Sequence, residues 1–525
     1  MKKNRTILAA AAIVGVIALM GSNSATNDFK YSKSLKTVLN TTGTNEKIKV
    51  WIEFTNKGEN ADALLSNPLS VVTQRSLERR AKVKPAGSLI DITDLPVDRE
   101  YVSAVSETGA KVNHRSKWFN RVSAYASESQ IAEISSFAFV KSVDIVRGYA
   151  KDHNDVEFAE NQVMPEADNN GSNGVSSMNY GSSLSQMQLI NAVTPHDSGY
   201  YGQGVLIASF DTGVDNLQHP AFDSIRARGL RTYDFVNHDT IIGNQNGQMG
   251  EGSHGTETLS LVGGYRPGNL ISPAFRSTYI VAKTENTDSE TAVEEDNWLA
   301  AAEWADSLGA DIITSSLGYL DMDPGSIRSY NWTWMNGDSC FITIGADLVV
   351  NKGILICNSA GNEGSHNTHN TLIAPADGDS VFTIGSVNSN KQRSSFSSVG
   401  LTTDGRIKPD VCALGNGNVV AAPGSGSTGY TSGSGTSFSC PMTAGVCAMV
   451  LSANMNLTPV QVMNLLRQTA DSSFAPNRRR GWGLINAWEA IKIARTMTSA
   501  VSVSENVTPV DYELQQNYPN PFNPS

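Results

Sequence analysis

The sequence predicts an α/β protein built on a mostly parallel β-sheet, with a smaller α+β unit ahead of it. Three observations carry that prediction. Past about Tyr180, short apolar and β-branched runs at 205–210, 279–282, 311–316 and 353–357 alternate with helical stretches, as parallel strands covered on both faces require. Near the N-terminus the pattern differs: Ile48, Val50, Ile52 and Phe54 alternate with Lys47, Lys49 and Glu53, the period of a half-buried strand, and only Trp51 breaks it. Between the two, residues 151–178 are rich in Asn, Ser, Gly and acidic side chains and read as an exposed linker.

Taken in order, residues 1–25 begin with Lys2, Lys3 and Arg5, continue through an apolar stretch at 7–20 and end in a small, polar run. That order is a secretory signal peptide. The apolar stretch is too short for the roughly 20 residues of a membrane-spanning helix. Residues 26–150 then give the strand at 47–54, helices at 71–82 and 99–107, a strand at 118–126, a helix at 128–136 and a strand at 140–146. Arg79 and Arg80 form a dibasic pair, but inside an expected helix, so they read as a solvated face and not as a cleavage site. Residues 151–179 are the linker and the expected processing region.

The α/β unit occupies 180–498, with crossover helices expected at 293–308 and 339–352. Residues 499–525 turn polar and end in Asn517-Tyr518-Pro519-Asn520-Pro521-Phe522-Asn523-Pro524, an alternation that cannot be helical. A chain of 525 residues with a net charge of −11 can bury a large core and does not suit a nucleic-acid backbone. Its five cysteines, Cys340, Cys357, Cys412, Cys440 and Cys447, are far apart and lack paired metal-ligand spacing. Those at 357, 440 and 447 lie in apolar or small-residue runs and read as buried thiols.

Three segments point to nucleophilic hydrolysis. The strand at 205–210 runs straight into Asp211-Thr212-Gly213, a carboxylate at the carboxyl end of a buried strand, where open α/β sheets place their sites. Ser253-His254-Gly255 opens an expected helix. Gly435-Thr436-Ser437 follows a glycine-rich loop and opens an apolar helix to Leu451, so free N–H groups lie beside the hydroxyl. A serine hydroxyl needs a base near neutral pH, an imidazole can be that base, and a carboxylate can hold its tautomer. These residues, in the order Asp, His, Ser, are the candidate catalytic set.

On these residues the chain resembles the subtilisin-like serine peptidases, or subtilases. Asp211-Thr212-Gly213, His254-Gly255-Thr256 and Gly435-Thr436-Ser437 with Pro441 stand in the family's signature blocks, spread over about 186–494. The resemblance implies a three-layer subtilisin-like fold, with 26–150 as an inhibitor-like propeptide. It implies a secreted endopeptidase that works through an acyl-enzyme on protein or peptide substrates. Asn362, in Asn358-Ser359-Ala360-Gly361-Asn362, is the implied oxyanion-hole donor, and Ser316, Leu317, Gly318, Ser359, Ala360 and Gly361 are the implied substrate-binding residues. The chemistry needs no cofactor, and no residue is assigned to a metal. Structural calcium occurs in the family, but no compact Asp-rich loop is legible. Glu257 to Ser260 depart from the His-Val-Ala-Gly that commonly follows the histidine block.

The segment 517–524 resembles the opening of the C-terminal sorting domains of type IX secretion. It implies passage through the periplasm and then across the outer membrane with the secretion machinery as partner, and it implies that the chain, stopping at Ser525, is a fragment or a truncated product. Rival readings are weaker. An aspartic peptidase needs a second Asp-Thr/Ser-Gly loop, and Asp197-Ser198-Gly199 follows no strand. A chymotrypsin-like reading of Gly337-Asp338-Ser339 fails because Cys340 and Phe341 follow. An adhesin on an inactivated peptidase fold would not keep all four chemical positions. Asp215, His219, His238, His366 and His369 read as loop or surface residues.

Overall fold

The computed structural model describes residues 30–40, 46–146, 176–288, 292–320, 330–365 and 368–497. The expected signal peptide, most of the linker, His366 and the segment 517–524 lie outside them.

The N-terminal unit contains α1 (Lys33–Leu39), β1 (Ile48–Phe54), α2 (Ala61–Leu65), α3 (Gln74–Arg80), α4 (Arg99–Glu107), β2 (Lys111–Ser116), β3 (Arg121–Ala126), α5 (Glu128–Ser136) and β4 (Val140–Ile145). Its strands form an antiparallel sheet in the order β2-β3-β1-β4. The alternation along β1 sends Val50, Ile52 and Phe54 into a core with Val102, Val105, Val122, Ile131 and Ile134. Local chemistry fixes the helix starts: Asp98 accepts from the Glu100 and Tyr101 amides, and Ser127 forms a reciprocal capping box with Gln130. The helix expected over 71–82 is shorter because Thr73 caps it, accepting from Ser76 N. The strand expected from 118 begins at Arg121, since Asn120 has φ 49° and closes a turn onto Lys117 O. The strand β2 has no apolar alternation and was not expected.

In the larger unit follow α6 (Leu184–Leu189), α7 (Val193–Asp197), β5 (Leu206–Asp211), α8 (Asp223–Ala227), β6 (Arg231–Asp234), α9 (His254–Gly263), β7 (Tyr265–Arg266), β8 (Leu270–Ile271), β9 (Thr278–Lys283) and α10 (Ala292–Leu308). The remainder is β10 (Ile312–Ser315), α11 (Phe341–Asn351), β11 (Leu355–Ser359), β12 (Phe382–Val387), β13 (Val411–Leu414), β14 (Asn416–Ala421), β15 (Tyr430–Ser434), α12 (Thr436–Ala453), α13 (Pro459–Thr469) and α14 (Ala487–Ala494). Seven strands form one parallel sheet in the order β13-β12-β11-β10-β5-β9-β6.

Neighbouring residues on a strand feed opposite layers. Ile207, Ile312 and Leu355 pack into the core that holds α9, α12 and α14, whereas Ala208, Ile313 and Ile356 pack into the core that holds α10 and α11. The result is the expected three-layer α/β arrangement. Helix α12 is apolar enough to span a membrane by composition, yet it is the buried centre of one layer. All five cysteines are buried and none is in a disulfide. The thiols of Cys357 and Cys447 touch at 3.9 Å across β11 and α12.

The second face of the small sheet is not in water; it docks on α10 and α11. Trp51, which breaks the alternation of β1, packs against Phe341 with ring centroids 4.9 Å apart and the rings tilted by 48°, and the Arg121 guanidinium lies 3.8 Å from the Trp51 ring and 4.2 Å from the Phe341 ring. Lys49, on the same face, is paired with Asp296 at 3.6 Å. Glu303 accepts from Ser116 Oγ at 2.7 Å, Lys117 N at 2.9 Å and Trp118 N at 3.1 Å. His114 bonds Asn297 Oδ1 at 2.6 Å, and burial pushes its imidazole down to about 4. Facing acidic and basic groups thus replace solvent.

Arg79 and Arg80 are the largest correction to the sequence reading: they are 2% and 0% exposed, neither a solvated face nor an accessible cleavage site. Arg79 donates to Asp306 O at 3.3 Å in the last turn of α10, to Ala310 O at 2.8 Å just beyond it, and to Lys352 O at 3.0 Å at the end of α11. One guanidinium therefore caps the carboxyl ends of two helices, where the backbone presents unsatisfied carbonyls and partial negative charge. Its remaining nitrogen bonds Asp306 Oδ1 at 2.5 Å. Arg80 bridges Asp306 at 2.6 Å and Asp94 at 2.8 Å, and Lys352 reaches Asp94 at 2.8 Å. Burial works to raise the Asp306 carboxyl, but Arg79, Lys117 and Arg80 overcome it and hold it at about 2.

Removing either arginine leaves Asp306 as a buried carboxylate short of a partner, and breaking such a pair costs about 3–5 kcal/mol. Arg79→Ala and Arg80→Ala are therefore expected to lower the unfolding free energy of the full chain, measured by denaturant titration, by an amount of that order, with Arg79→Lys between them and the parent. A loss under about 0.5 kcal/mol, as for an exposed pair, would contradict the burial of this cluster.

Candidate active site

The strand order reverses between β5 and β10, and the candidate residues gather outside the carboxyl ends of these strands. Asp211 is the last residue of β5 and is 1% exposed. His254 opens α9, which crosses the end of β5 at backbone contact: a side chain at Gly255 would overlap Gly213 O and sit 3.1 Å from Asp211 Cβ. The crossing brings His254 Nδ1 to 2.7 Å from Asp211 Oδ1. Thr212 N donates to that same oxygen at 2.8 Å.

The other carboxylate oxygen, Oδ2, accepts from Thr258 Oγ1 at 2.8 Å. Thr258 was missed by sequence reasoning, although a legible signal existed: it lies four residues after His254, on the same face of α9. The departure at Glu257 to Ser260 does not disturb the helix, which is buried along its whole length. Glu257 itself is 7% exposed.

Ser437 is the second residue of α12 and is 4% exposed. Its carbonyl accepts from Ser316 Oγ at 2.8 Å, which ties the segment after β10 to the serine. Its neighbour Phe438 packs edge-on against His254, ring centroids 5.7 Å apart. Asn362 Oδ1 accepts from Thr436 N at 2.9 Å and Thr436 Oγ1 at 3.1 Å. With its oxygen held there, the amide nitrogen turns to the other side. A Cβ placed on Gly435 would lie 2.7 Å from Ser437 Oγ and 3.6 Å from Asn362 Nδ2, so hydroxyl and amide border one small space.

The six expected substrate-binding residues extend two parallel neighbours, Ser316, Leu317 and Gly318 beyond β10, and Ser359, Ala360 and Gly361 at the end of β11. Asn358 Nδ2 joins them by donating to Leu317 O at 3.0 Å, another contact the sequence reading missed. Of the residues set aside as loop or surface, His238 is exposed and His369 half-buried. Asp215 accepts from Thr256 Oγ1 at 2.5 Å and Gly424 N at 2.8 Å. His219 is a correction: it is fully buried, accepts from Ala221 N and bonds Gly429 O at 2.8 Å, a structural role between two loops. Among the described residues, no group of three or more His, Cys, Asp or Glu side chains is placed to hold a metal ion.

The chain is similar to known proteins over most of its length. The family model described as Subtilase family matches residues 202–483. A second, described as the peptidase S8 propeptide domain of Bacteroidota, matches residues 49–162. Subtilisin NAT of Bacillus subtilis subsp. natto is 30% identical over 392 residues, 74% of this chain and 84% of that protein. The subtilisin of Bacillus pumilus is 32% identical over 307 residues, 57% of this chain and 96% of that protein. A solved structure of proteases from Pseudoalteromonas arctica PAMC 21717 aligns at 21% identity with a TM-score of 0.48, covering 61% of this chain and 100% of the other.

Losing a hydrogen bond to a buried charged group costs about 1.5–3 kcal/mol. Thr258→Val should therefore slow hydrolysis of a peptide substrate by about tenfold or more, and Thr258→Ser, which keeps the hydroxyl, should restore it. An unchanged rate in the valine variant would show that Asp211 does not need this donor.

Proposed function

Since the chain belongs to the subtilase family and is a serine endopeptidase preceded by a propeptide domain, we propose that Asp211, His254 and Ser437 are its catalytic triad and that it cleaves proteins through an acyl-enzyme. The observation that carries this reading is the buried bond of 2.7 Å between His254 Nδ1 and Asp211. A carboxylate there selects the tautomer with its proton on Nδ1 and leaves the Nε2 lone pair to act as base.

Ser437 Oγ attacks the scissile carbonyl carbon and gives its proton to His254 Nε2. The imidazolium that forms is stabilised by Asp211, which stays ionised. Negative charge moves to the former carbonyl oxygen, where Asn362 Nδ2–H, which borders the space beside Gly435, and the Ser437 N–H are the donors. The bond to nitrogen breaks, His254 protonates the departing amine, and an ester on Ser437 remains. Water then attacks the ester with His254 again as base, and the acid product leaves.

Two features support a role for the N-terminal unit as folding aid and inhibitor. It matches the propeptide family, and it clamps α10 and α11, the crossover helices on either side of β10. A large parallel sheet has many long-range contacts and folds slowly, so pinning those two helices lowers the cost of bringing β10 and β11 together. The processing site falls in the linker at 151–179 on this reading. Structural calcium, should it bind, would serve the fold and not the chemistry.

The decisive variant is Ser437→Ala. In a subtilisin the corresponding loss is about 10⁶ in turnover, and that sets the expected size here, together with loss of labelling by a fluorophosphonate probe. Near-normal hydrolysis by the alanine variant would rule the mechanism out.

Export is supported by the N-terminal signal at 1–25 and by the segment 517–524, which together suit passage through the periplasm and then across the outer membrane to the surface or medium. A periplasmic reporter fused to an extended version of 517–524 should reach the medium in a host with type IX secretion. Retention in the periplasm, while a known cargo domain is exported, would reduce that segment to a linker.

A further inference from the structure

The substrate class of the site can be narrowed by one residue that the sequence reading never singled out. The strands β10 and β11 run parallel and paired as far as Ser315 and Asn358. Beyond them, 316–318 and 359–361 flank the start of α12. Ser316 Oγ bonds Ser437 O at 2.8 Å, and Gly361 N bonds Thr436 Oγ1 at 3.1 Å. An acyl carbon on Ser437 Oγ, with its oxygen toward Asn362, puts the side chain of that same substrate residue next to these two segments.

Each segment presents a glycine, and two glycine walls alone would leave a slot open to a large side chain. Ile373 occupies the space between them. A Cβ on Gly318 would overlap Ile373 Cδ1 and Cγ1, and a Cβ on Gly361 would lie 3.0 Å from Ile373 Cγ1 and 3.1 Å from Cδ1. One branched side chain thus touches both walls.

Ile373 is also held in place. Ala374 exchanges two backbone hydrogen bonds with Tyr319, at 2.8 and 3.0 Å, and Ala376 N donates to Ile373 O at 2.8 Å. Leu372 and Ala374 are fully buried, whereas Ile373 is half-buried. Its β-branched side chain is stiff at χ1 and does not swing aside at low cost.

We propose that Ile373 closes the slot for the acyl-side residue and makes this enzyme an endopeptidase that cuts after small residues, glycine, alanine or serine, and discriminates against phenylalanine and leucine. The inference rests on the triad reading above. A hydrophobic pocket discriminates by about 10–200-fold per methylene gained or lost, so filling one with four carbons produces a preference of at least that order.

The test is a panel of peptides differing only in the residue on the acyl side of the scissile bond, with kcat/KM normalised to enzyme that reacts with a fluorophosphonate. The parent enzyme should prefer alanine over phenylalanine by about 10²-fold. Ile373→Gly should raise the rate on phenylalanine by a similar factor with little gain on alanine. Ile373→Ala, which disturbs the backbone less, should move the same way to a smaller degree. A parent enzyme that prefers phenylalanine or leucine, or a ratio that is the same in all three proteins, overturns the proposal. Enzyme that neither labels at Ser437 nor cleaves any peptide overturns the triad reading itself, an outcome distinct from labelled enzyme with the wrong preference.

Discussion

The approach of α9 to the end of β5 is the constraint on which the rest of the site depends. Gly255 and Gly213 meet with no side chain between them, and only at that separation can an imidazole on the first residue of the helix reach the carboxylate on the last residue of the strand. Thr258, one turn further along α9, then falls on the second carboxylate oxygen. The same crossing lets Phe438 pack on the imidazole from α12. A side chain at Gly255 would separate the acid from the base before any chemistry was attempted.

A second constraint acts at the other end of the molecule. The N-terminal unit and the α/β unit meet through charges that neither could bury alone: Lys49 with Asp296, Arg79 and Arg80 with Asp306, Lys352 with Asp94. Isolated, each would favour water by several kcal/mol. Joined, each satisfies its partner, and the helix carbonyls at the ends of α10 and α11 accept the hydrogen bonds left over. Polar pairing of this kind rewards one docked geometry over all slipped ones, because a displaced surface would strand ions.

Much of this was legible in the chain before the structure. The apolar runs at 205–210 and 353–357 identified parallel strands, because burial on both faces writes a continuous hydrophobic pattern, and the first placed Asp211 at a carboxyl end. The helices expected at 99–107 and 128–136 match α4 and α5 to the residue, and the structure shows Asp98 and Ser127 capping them. What failed shares one cause: pattern reading takes a polar residue as facing water. Lys49, Arg79, Arg80 and His219 face protein instead, and no local signal separates the two cases. Trp51 did carry a signal, since a large aromatic on the polar face of an alternating strand has to be covered by something. Ile373 left none, because its place between Gly318 and Gly361 is set by a backbone pairing between Tyr319 and Ala374, 55 residues apart.

The buried cluster around Asp306 also ties together the histories of two segments that act as separate molecules once a propeptide has been cut away. Arg79 and Arg80 do nothing in a finished peptidase from which their segment has been removed, and Asp306 does no chemistry in it. Selection can register a change at any of the three only during the interval in which they share one chain. Drift on one side therefore requires an answering change on the other. Exchanging N-terminal units between diverged relatives should fail at this cluster even where the catalytic residues are identical.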